Sequence, residues 1–269
     1  MTRPKPTWVL ESVLNPPLHA RLRKSALAMG CDVVEWRDDW LPTLPKLSAG
    51  PVIFHGSLNV AAEIADRSEW QPGVFCDVLG FRCTSWYESA RPWLVHERWL
   101  ATTVQALVDD AASVTAPLGS PAQIFVRPDS PLKPFSGRVV NTATLTLQSL
   151  DHGFYYDDST IGVIIAPVRD VGDEWRFVVA GGEVVAASTY DAQQRSASDA
   201  TVPPSAAALA GDIAAALAPP DPVYVLDICE TDDGYRLLEL NPFSGADLYH
   251  CNTDNVAASV TREIARLID

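Results

Sequence analysis

The first 115 residues alternate between short apolar runs and segments whose apolar positions recur at helical spacing. Short apolar runs predict strands and a 3.6-residue spacing predicts helices, the first of which ends at Gly30. We predict strands over residues 8–13, 31–36 and 51–57, and helices over residues 18–29, 58–70 and 99–114. Because strands that alternate with helices build parallel sheets, residues 1–115 are predicted to form an N-terminal α/β domain.

The pattern changes near residues 115–120. Strands are predicted over 124–128, 161–168 and 174–188, and Gly181-Gly182 indicates a hairpin turn within the last of these. Helices are predicted over 206–218 and 255–268, and between them VYVLDIC and YRLLELN predict a second hairpin. We therefore predict that residues 116–269 form an α+β domain with antiparallel sheets.

The second hairpin carries two carboxylates in the middle of apolar strands. A three-residue loop over 232–234, with Gly234 in the left-handed conformation, would pair Asp227 with Glu239. Since side chains alternate faces along a strand, Asp227, Glu239 and Asn241 would share one face. The opposite face would then be a core of Tyr224, Leu226, Ile228, Leu238 and Leu240.

Paired carboxylates on one face repel each other unless a cation compensates them. Three oxygen ligands beside open positions suit Mg²⁺, which takes the rest of its shell from water and substrate phosphates. We therefore predict a Mg²⁺ site at Asp227, Glu239 and Asn241. The alternative is a solvated polar face on an edge hairpin, and it stays open here, although acids within apolar strands count against it.

Composition and absent motifs narrow the possible partners. The net charge is −14, so the chain repels a phosphate backbone and nucleic acid is not expected. No apolar run or signal core indicates a membrane, and five scattered cysteines without a CxxC pair are typical of a reducing cytoplasm. The absence of GxxxxGK[ST] and GxSxG counts against P-loop NTPases and α/β-hydrolases. Nothing in the pattern indicates an oligomeric state.

The order of motifs from about 116 to 250 resembles the ATP-grasp superfamily. FVRPDSPLKPFSG is similar to its phosphate-covering segment and IIAPV to its adenine hinge. DEWRFVVAGGEVVAAS is similar to its acidic-x-Arg strand pair, and LDI…LLELNPF to its Asp…Glu-x-Asn metal strands. Arg127 stands where the family usually has Lys, which resembles a clade with that replacement, and Val225 stands where many relatives have Arg. A further family Lys has no clear counterpart.

The resemblance implies a role for each nucleotide-binding segment. Arg127 would grip the α- or β-phosphate, and the loop with Lys133, Ser136 and Gly137 would close over the γ-phosphate. Glu174 would hold the ribose and Arg176 would reach the phosphates. Backbone bonds to adenine would come from Ile165, Ala166, Pro167 and Val168. The alternatives left open are a surface-paired Arg127, a Pro-stiffened loop, a cross-strand ion pair and a plain core strand.

Two further segments are candidates for the acceptor pocket. His55, Gly56 and Ser57 end a predicted strand, where ligands of α/β sheets bind, although a simple turn is an equally ordinary reading. The loop 244–247 directly follows the metal strand and could face the substrate.

The resemblance implies an ATP-dependent, ADP-forming carboxylate–amine ligase. A substrate carboxylate would take the γ-phosphate of ATP as an acyl phosphate, with Mg²⁺ as cofactor and with Arg176 and Lys133 stabilising the developing charge. An amine would then form an amide or peptide bond, so small-molecule carboxylate and amine substrates, such as amino acids or peptides, are the expected partners. A nucleotide-binding protein without ligase turnover and a small-molecule kinase remain as alternatives.

Overall fold

The computed structural model describes residues 5–47, 50–67, 69–150, 158–190 and 201–268. The strands in these ranges are β1 (Thr7–Leu10), β2 (Asp32–Glu35), β3 (Val52–His55), β4 (Pro72–Gly73), β5 (Leu100–Thr103), β6 (Gln123–Pro128), β7 (Arg138–Asn141), β8 (Gly162–Pro167), β9 (Glu174–Ala180), β10 (Glu183–Tyr190), β11 (Val223–Thr231) and β12 (Gly234–Pro242). The helices are α1 (Pro16–Ala28), α2 (Leu58–Ala65), α3 (Cys83–Ala90), α4 (Val104–Asp109), α5 (Ala111–Thr115), α6 (Leu147–Leu150), α7 (Pro204–Ala216) and α8 (Thr253–Leu267). Within the described ranges, none of the helices combines the length and the apolar character that crossing a membrane requires.

Backbone contacts divide the chain into two compact units. Unit 1 comprises residues 1–77, 172–230 and 235–269, and unit 2 comprises residues 78–171 and 231–234. This division differs from the sequence boundary predicted near 115–120, because the N-terminal sheet shares its core with the C-terminal strands and helix α8. The assignment of residues 1–115 and 116–269 to separate domains stays a prediction.

Unit 1 contains the parallel sheet that the N-terminal pattern predicts. Its strand order is β2-β1-β3-β4, and β1 pairs in parallel with both β2 and β3. Leu10 pairs with His55, so His55 lies at the carboxyl end of the sheet. Asn15 precedes α1 and its side chain accepts a hydrogen bond from the Leu18 amide, which satisfies one of the helix's first donors. The predicted strands and the helix over 18–29 are confirmed.

The second sheet of unit 1 is antiparallel, with strand order β10-β9-β11-β12. Gly181 and Gly182 have φ of +60° and +80°, the conformation that a two-residue hairpin turn requires, so the predicted hairpin is confirmed. The hairpin between β11 and β12 is one residue tighter than predicted, since β12 already begins at Gly234. The Thr231 hydroxyl closes that turn by donating to the Gly234 carbonyl.

One hydrophobic core joins the two sheets of unit 1. It contains Trp8 and Ile53 from the parallel sheet, Val178 and Val225 from the antiparallel sheet, and Val260 from α8. Each of these side chains is fully buried. The predicted outer face of β11 is therefore a packed face, and a polar residue on it lies in a largely water-free setting.

Unit 2 is built on an antiparallel sheet with strand order β5-β8-β6-β7. The prediction of one helix over 99–114 is wrong at its start, because Leu100–Thr103 pairs with β8 as strand β5. The helical part begins only after Thr103, whose side chain accepts a hydrogen bond from the Ala106 amide and caps α4. The predicted strands over 124–128 and 161–168 are confirmed as β6 and β8.

Candidate active site

A buried ion pair lies at the centre of the antiparallel sheet of unit 1. Asp227 of β11 lies opposite Arg176 of β9 in the ladder. Arg176 donates from Nε to Asp227 Oδ1 at 2.8 Å and from Nη2 to Asp227 Oδ2 at 2.7 Å. The two residues are only 9% and 5% exposed, so this bidentate pair is desolvated as well as charged.

The three residues predicted to hold Mg²⁺ lie together at this pair. Asn241 donates from Nδ2 to Asp227 Oδ2 at 3.1 Å and to Glu239 Oε1 at 3.0 Å. Asn241 is 7% exposed and Glu239 is half-buried. A solvated polar face is therefore not what the structure has, because Asp227 and Asn241 are buried within hydrogen-bond distance of each other.

The donor set of this group fits a hard divalent cation. One amide nitrogen bridges two carboxylate oxygens, which is a position of concentrated negative potential. A half-turn of the Asn241 amide would turn its oxygen to the same side, giving three oxygen ligands of the kind Mg²⁺ prefers. The described ranges contain no cluster of three or more His, Cys, Asp and Glu side chains, so carboxamide participation is part of this candidate.

Arg176 also contacts the loop that follows the metal strand. Its Nη1 donates to the Asp247 carbonyl at 2.7 Å, and its guanidinium carbon lies 4.7 Å from the centre of the Tyr249 ring. Burial opposes the charge of Arg176, but the charge and hydrogen bonds of Asp227 outweigh that effect and raise the pKa of Arg176. Sequence reasoning reached Asp247 only as part of a loop and missed Tyr249, because no pattern marks an aromatic residue in a loop as a partner of an arginine.

The two candidate acceptor segments lie together in unit 1. The Gly56 amide donates to the Ser244 carbonyl at 2.9 Å, and the Ser57 amide donates to Glu11 Oε2 at 2.6 Å. Asn15 donates from Nδ2 to Asp247 Oδ2 at 2.8 Å, which ties the start of α1 to the same loop. The carboxyl end of the parallel sheet and the loop after β12 therefore form one continuous wall.

His55 is packed inside that wall. Its Nδ1 lies 3.1 Å from Nε2 of His19, and its ring stands edge-on to Phe243 at 5.1 Å between centroids. Burial lowers the pKa of His55 to about 3, with the neighbouring His19 as a further cause, so the His55 ring is neutral at physiological pH. His55 is a buried neutral group and not an exposed acceptor contact.

The predicted phosphate-binding residues lie in unit 2. Arg127 of β6 donates from Nη1 to the Tyr87 hydroxyl at 3.3 Å. Lys133 is exposed and has φ of +48°, and its amide donates to the Ser130 carbonyl at 3.3 Å. Ser136 and Gly137 are exposed as well. A Cβ at Gly137 would lie 2.8 Å from the Phe125 ring, so the loop passes too close to that ring for a larger residue.

The predicted adenine hinge lies at the end of β8 in unit 2. Ile165 pairs with Leu100 of β5 and with Val126 of β6, whereas Ala166 and Pro167 continue the ladder with β6 alone. The ladder with β5 ends at Ile165, before the exposed Val168. This change in pairing occurs where the resemblance implies backbone contacts to adenine.

A buried histidine that sequence reasoning missed accompanies the hinge. The His96 ring stacks on Phe125 at 4.8 Å between centroids, and His96 forms a hydrogen bond with the backbone of Pro167. Burial lowers the pKa of His96 to about 4, and the nearby charges of Arg127 and Arg169 act in the same direction. His96 precedes the region covered by the family motifs, and a lone histidine carries no signal of its own.

Glu174 belongs to unit 1. It begins β9, is half-buried and pairs with Tyr190 and Cys229 on either side. Its side chain leaves the same face of β9 as that of Arg176, two residues along the strand. The predicted nucleotide-binding residues thus form one set around Arg176 in unit 1 and a second set around β6 and β8 in unit 2.

Comparison with known proteins places this fold in a family. Residues 34–260 match the sequence model of an ATP-grasp domain family, numbered family 3 of its clade. The chain therefore belongs to the ATP-grasp superfamily, which confirms the predicted ATP-grasp fold. Family membership also confirms ATP with Mg²⁺ as the expected cofactors.

Solved structures share the fold over nearly the full chain. The crystal structure of the D-cycloserine synthetase DcsG is 15% identical, with a TM-score of 0.65 and with 96% of this chain and 99% of that chain covered. The D-alanine–D-alanine ligase from Bacillus anthracis complexed with ATP is 12% identical, with a TM-score of 0.59 and 98% of both chains covered. The ATP-grasp ligase PsnB, complexed with a phosphomimetic variant of its minimal precursor, Mg and ADP, is 13% identical, with a TM-score of 0.56 and coverage of 97% and 100%. A comparison with curated proteins finds no match.

The family match and these neighbours support an ATP-dependent ligase as the general class of this protein. The buried acidic group of unit 1 agrees with that class, because it offers oxygen ligands beside a permanently charged guanidinium.

Proposed function

We propose that this protein is an ADP-forming carboxylate–amine ligase that acts through an acyl phosphate. The observation that carries the proposal is the juxtaposition of Asp227, Glu239 and Asn241 with the guanidinium of Arg176. A metal-binding group beside a buried cation suits a reaction in which negative charge develops on a phosphoryl group during transfer.

Asp227, Glu239 and Asn241 would hold Mg²⁺, which supplies charge neutralisation for the β- and γ-phosphates of ATP. Arg176 uses three of its five N–H donors in bonds to Asp227 and Asp247 within the described residues. The two remaining donors can bond the transferred phosphoryl group. A guanidinium that is already fixed needs little reorganisation when that group arrives.

The remaining predicted residues complete the nucleotide site in this proposal. Arg127 would bind the α- or β-phosphate in place of the more usual lysine, and Lys133 would cover the γ-phosphate with the backbone of the loop that holds Ser136 and Gly137. Glu174 would bind the ribose. Adenine would be bound by the backbone of Ile165, Ala166, Pro167 and Val168.

The chemistry balances without a protein nucleophile. A carboxylate oxygen of the first substrate attacks the γ-phosphorus, the bond to the β-phosphate oxygen breaks, and ADP leaves. The amine of the second substrate then attacks the acyl carbon, phosphate leaves with its bonding pair, and the nitrogen loses a proton. In keeping with this route, all five cysteines are buried. Burial raises the pKa of both Cys76 and Cys251 to about 12, so these two thiols are protonated at neutral pH.

We infer an amino acid or a peptide as the substrate class. The solved neighbours include a D-cycloserine synthetase, a D-alanine–D-alanine ligase and a ligase complexed with a precursor peptide, which supports small carboxylate and amine substrates. The half-buried carboxylate of Asp247, close to Arg176 through its own backbone carbonyl, suits the binding of an ammonium group before it is deprotonated.

An ADP-release assay tests the proposal. Purified protein with ATP and Mg²⁺ is incubated with a panel of amino acids and dipeptides, first singly and then in pairs, and the products are analysed by mass spectrometry. ADP release that requires two substrates and yields an amide supports the ligase. A stable phosphorylated product would identify a kinase instead, and nucleotide binding without turnover on the whole panel would contradict ligase activity on this substrate class.

A further inference from the structure

The ring of Tyr249 lies between two other side chains in unit 1. On one side the Arg176 guanidinium carbon lies 4.7 Å from its centroid. On the other side the Tyr190 ring stacks on it at 4.8 Å between centroids and 17° between planes. Tyr249 is half-buried, so the contact with Arg176 is partly shielded from water, which strengthens a cation–π interaction.

The backbone of Tyr249 is held in an unfavourable conformation. Its φ is +45°, in the left-handed region that bulky residues rarely adopt. Two hydrogen bonds fix it there: the Tyr249 amide donates to Asp247 Oδ1 at 2.8 Å, and Arg21 donates from Nη2 to the Tyr249 carbonyl. Strain of this kind persists only where surrounding contacts impose it, and it concentrates at functional sites.

The same residues surround the guanidinium of Arg176. Asp227 holds one edge by two bonds, the Asp247 carbonyl holds Nη1, and the Tyr249 ring covers one face. Asp247 therefore serves both partners, because its carbonyl accepts from Arg176 and its carboxylate accepts from the Tyr249 amide. Moving the Tyr249 ring would leave the guanidinium free to tilt out of the plane that its bonds define.

We propose that Tyr249 is a positioning residue that fixes the orientation of Arg176 toward the transferred phosphoryl group. The proposal rests on the function proposed above, and it adds a residue that contributes through Arg176 and not through direct contact with ATP. The face of the aromatic ring makes both the stack and the cation–π contact, so phenylalanine preserves the effect and leucine removes it. Tyr190 supports the ring from behind, so Tyr190→Leu has the same effect in weaker form.

Steady-state kinetics of substrate-dependent ADP release provide the first test. Tyr249→Leu is expected to lower kcat about tenfold, as loss of a shielded cation–π contact implies, with the KM for ATP changed less than about twofold. Tyr249→Phe should stay within about threefold of the wild type, because it keeps both ring and backbone conformation. Equal losses in the phenylalanine and leucine variants, or a loss confined to the KM for ATP, would overturn the proposal.

A double-mutant cycle on unfolding provides a test that does not depend on turnover. Tyr249→Leu is measured in the wild type and in Arg176→Met, in nucleotide-free protein. The leucine substitution should shift the unfolding equilibrium about tenfold in the wild type and less than about threefold when Arg176 is already absent. Equal shifts in both backgrounds would show that the ring does not act on Arg176. If the wild type shows no substrate-dependent ADP release, the proposed function fails, whereas the cycle still decides whether Tyr249 holds Arg176.

Discussion

The buried pair of Arg176 and Asp227 makes a prediction that can be worked through from the structure. Asp227→Asn removes the negative charge with almost no change in shape. One side-chain oxygen still accepts from Arg176, while the other position becomes an NH₂ group that faces the Nη2 donor. Because Arg176 is 9% exposed, its charge then lies in a desolvated site without a counter-charge.

The expected loss is large for a single isosteric change. Breaking a buried ion pair from one side costs about 3–5 kcal/mol, and the hydrogen bond that asparagine retains offsets about 1 kcal/mol of it. We therefore expect Asp227→Asn to lower the free energy of unfolding by about 2–4 kcal/mol. Replacing the whole pair, as Arg176→Met with Asp227→Leu, should recover stability to within about 1 kcal/mol of the wild type, because apolar side chains of similar volume need no counter-charge.

Urea unfolding without Mg²⁺ or nucleotide, followed by tryptophan fluorescence and circular dichroism, measures both changes. Trp175 is the neighbour of Arg176 on β9 and packs edge-on against Tyr235, so it reports on this part of the sheet. An unchanged slope with urea is the control for an intact fold. A loss below about 0.5 kcal/mol in the asparagine variant, or a double variant as unstable as the single one, would refute the account of a strongly coupled buried pair.

Other predictions concern a buried acid and two glycines of unit 1. Burial raises the pKa of Asp221 to about 7, above its unfolded value near 4, so the folded state retains a proton that the unfolded state has lost and stability should fall as pH rises from about 4 to 7. Asp221→Asn keeps an acceptor for the Asp77 amide and should remove this dependence, which gives a gain of up to about 4 kcal/mol at pH 8 and little change at pH 4 in urea melts at both pH values; parallel pH profiles of the two proteins would contradict it. Gly245→Ala should cost about 1–3 kcal/mol, because a Cβ there would lie 2.7 Å from the Leu58 Cα and neither backbone can move freely. Its control is Gly211→Ala in α7, where a Cβ meets nothing within 4 Å and helix propensity predicts a gain of about 0.5–1 kcal/mol, and thermal melts that show the two variants alike would argue against the tight packing of the loop after β12.

Much of the fold follows from local pattern. The parallel sheet, the Gly181-Gly182 hairpin and the closing helix each depend on periodicity or turn chemistry within about fifteen residues, and the structure confirms them. The error at residues 99–114 has a non-local cause. Leu100–Thr103 pairs with β8, some sixty residues later in the chain, and no local spacing records that partner.

The candidate site divides in the same way. Asp227, Glu239 and Asn241 could be grouped from strand alternation, and they do lie within hydrogen-bond distance of one another through Asn241. The cross-strand partner of Asp227 depends on the register of a third strand, so Arg176 was assigned to the phosphates and its bond to Asp227 was not foreseen. Val225, which replaces the more usual arginine, packs in the core, and the neighbouring strand supplies the guanidinium instead.

The central claim is that Asp227, Glu239 and Asn241 bind the Mg²⁺ of a Mg·ATP complex. Isothermal titration of a non-hydrolysable ATP analogue, with and without Mg²⁺, tests it most directly in the wild type and in Glu239→Gln. Glu183→Gln, on an exposed position of the same sheet, is the matched control. The account predicts that Mg²⁺ strengthens binding at least tenfold in the wild type and in the control, and less than about twofold in Glu239→Gln. An equal effect of Mg²⁺ in all three proteins would contradict it.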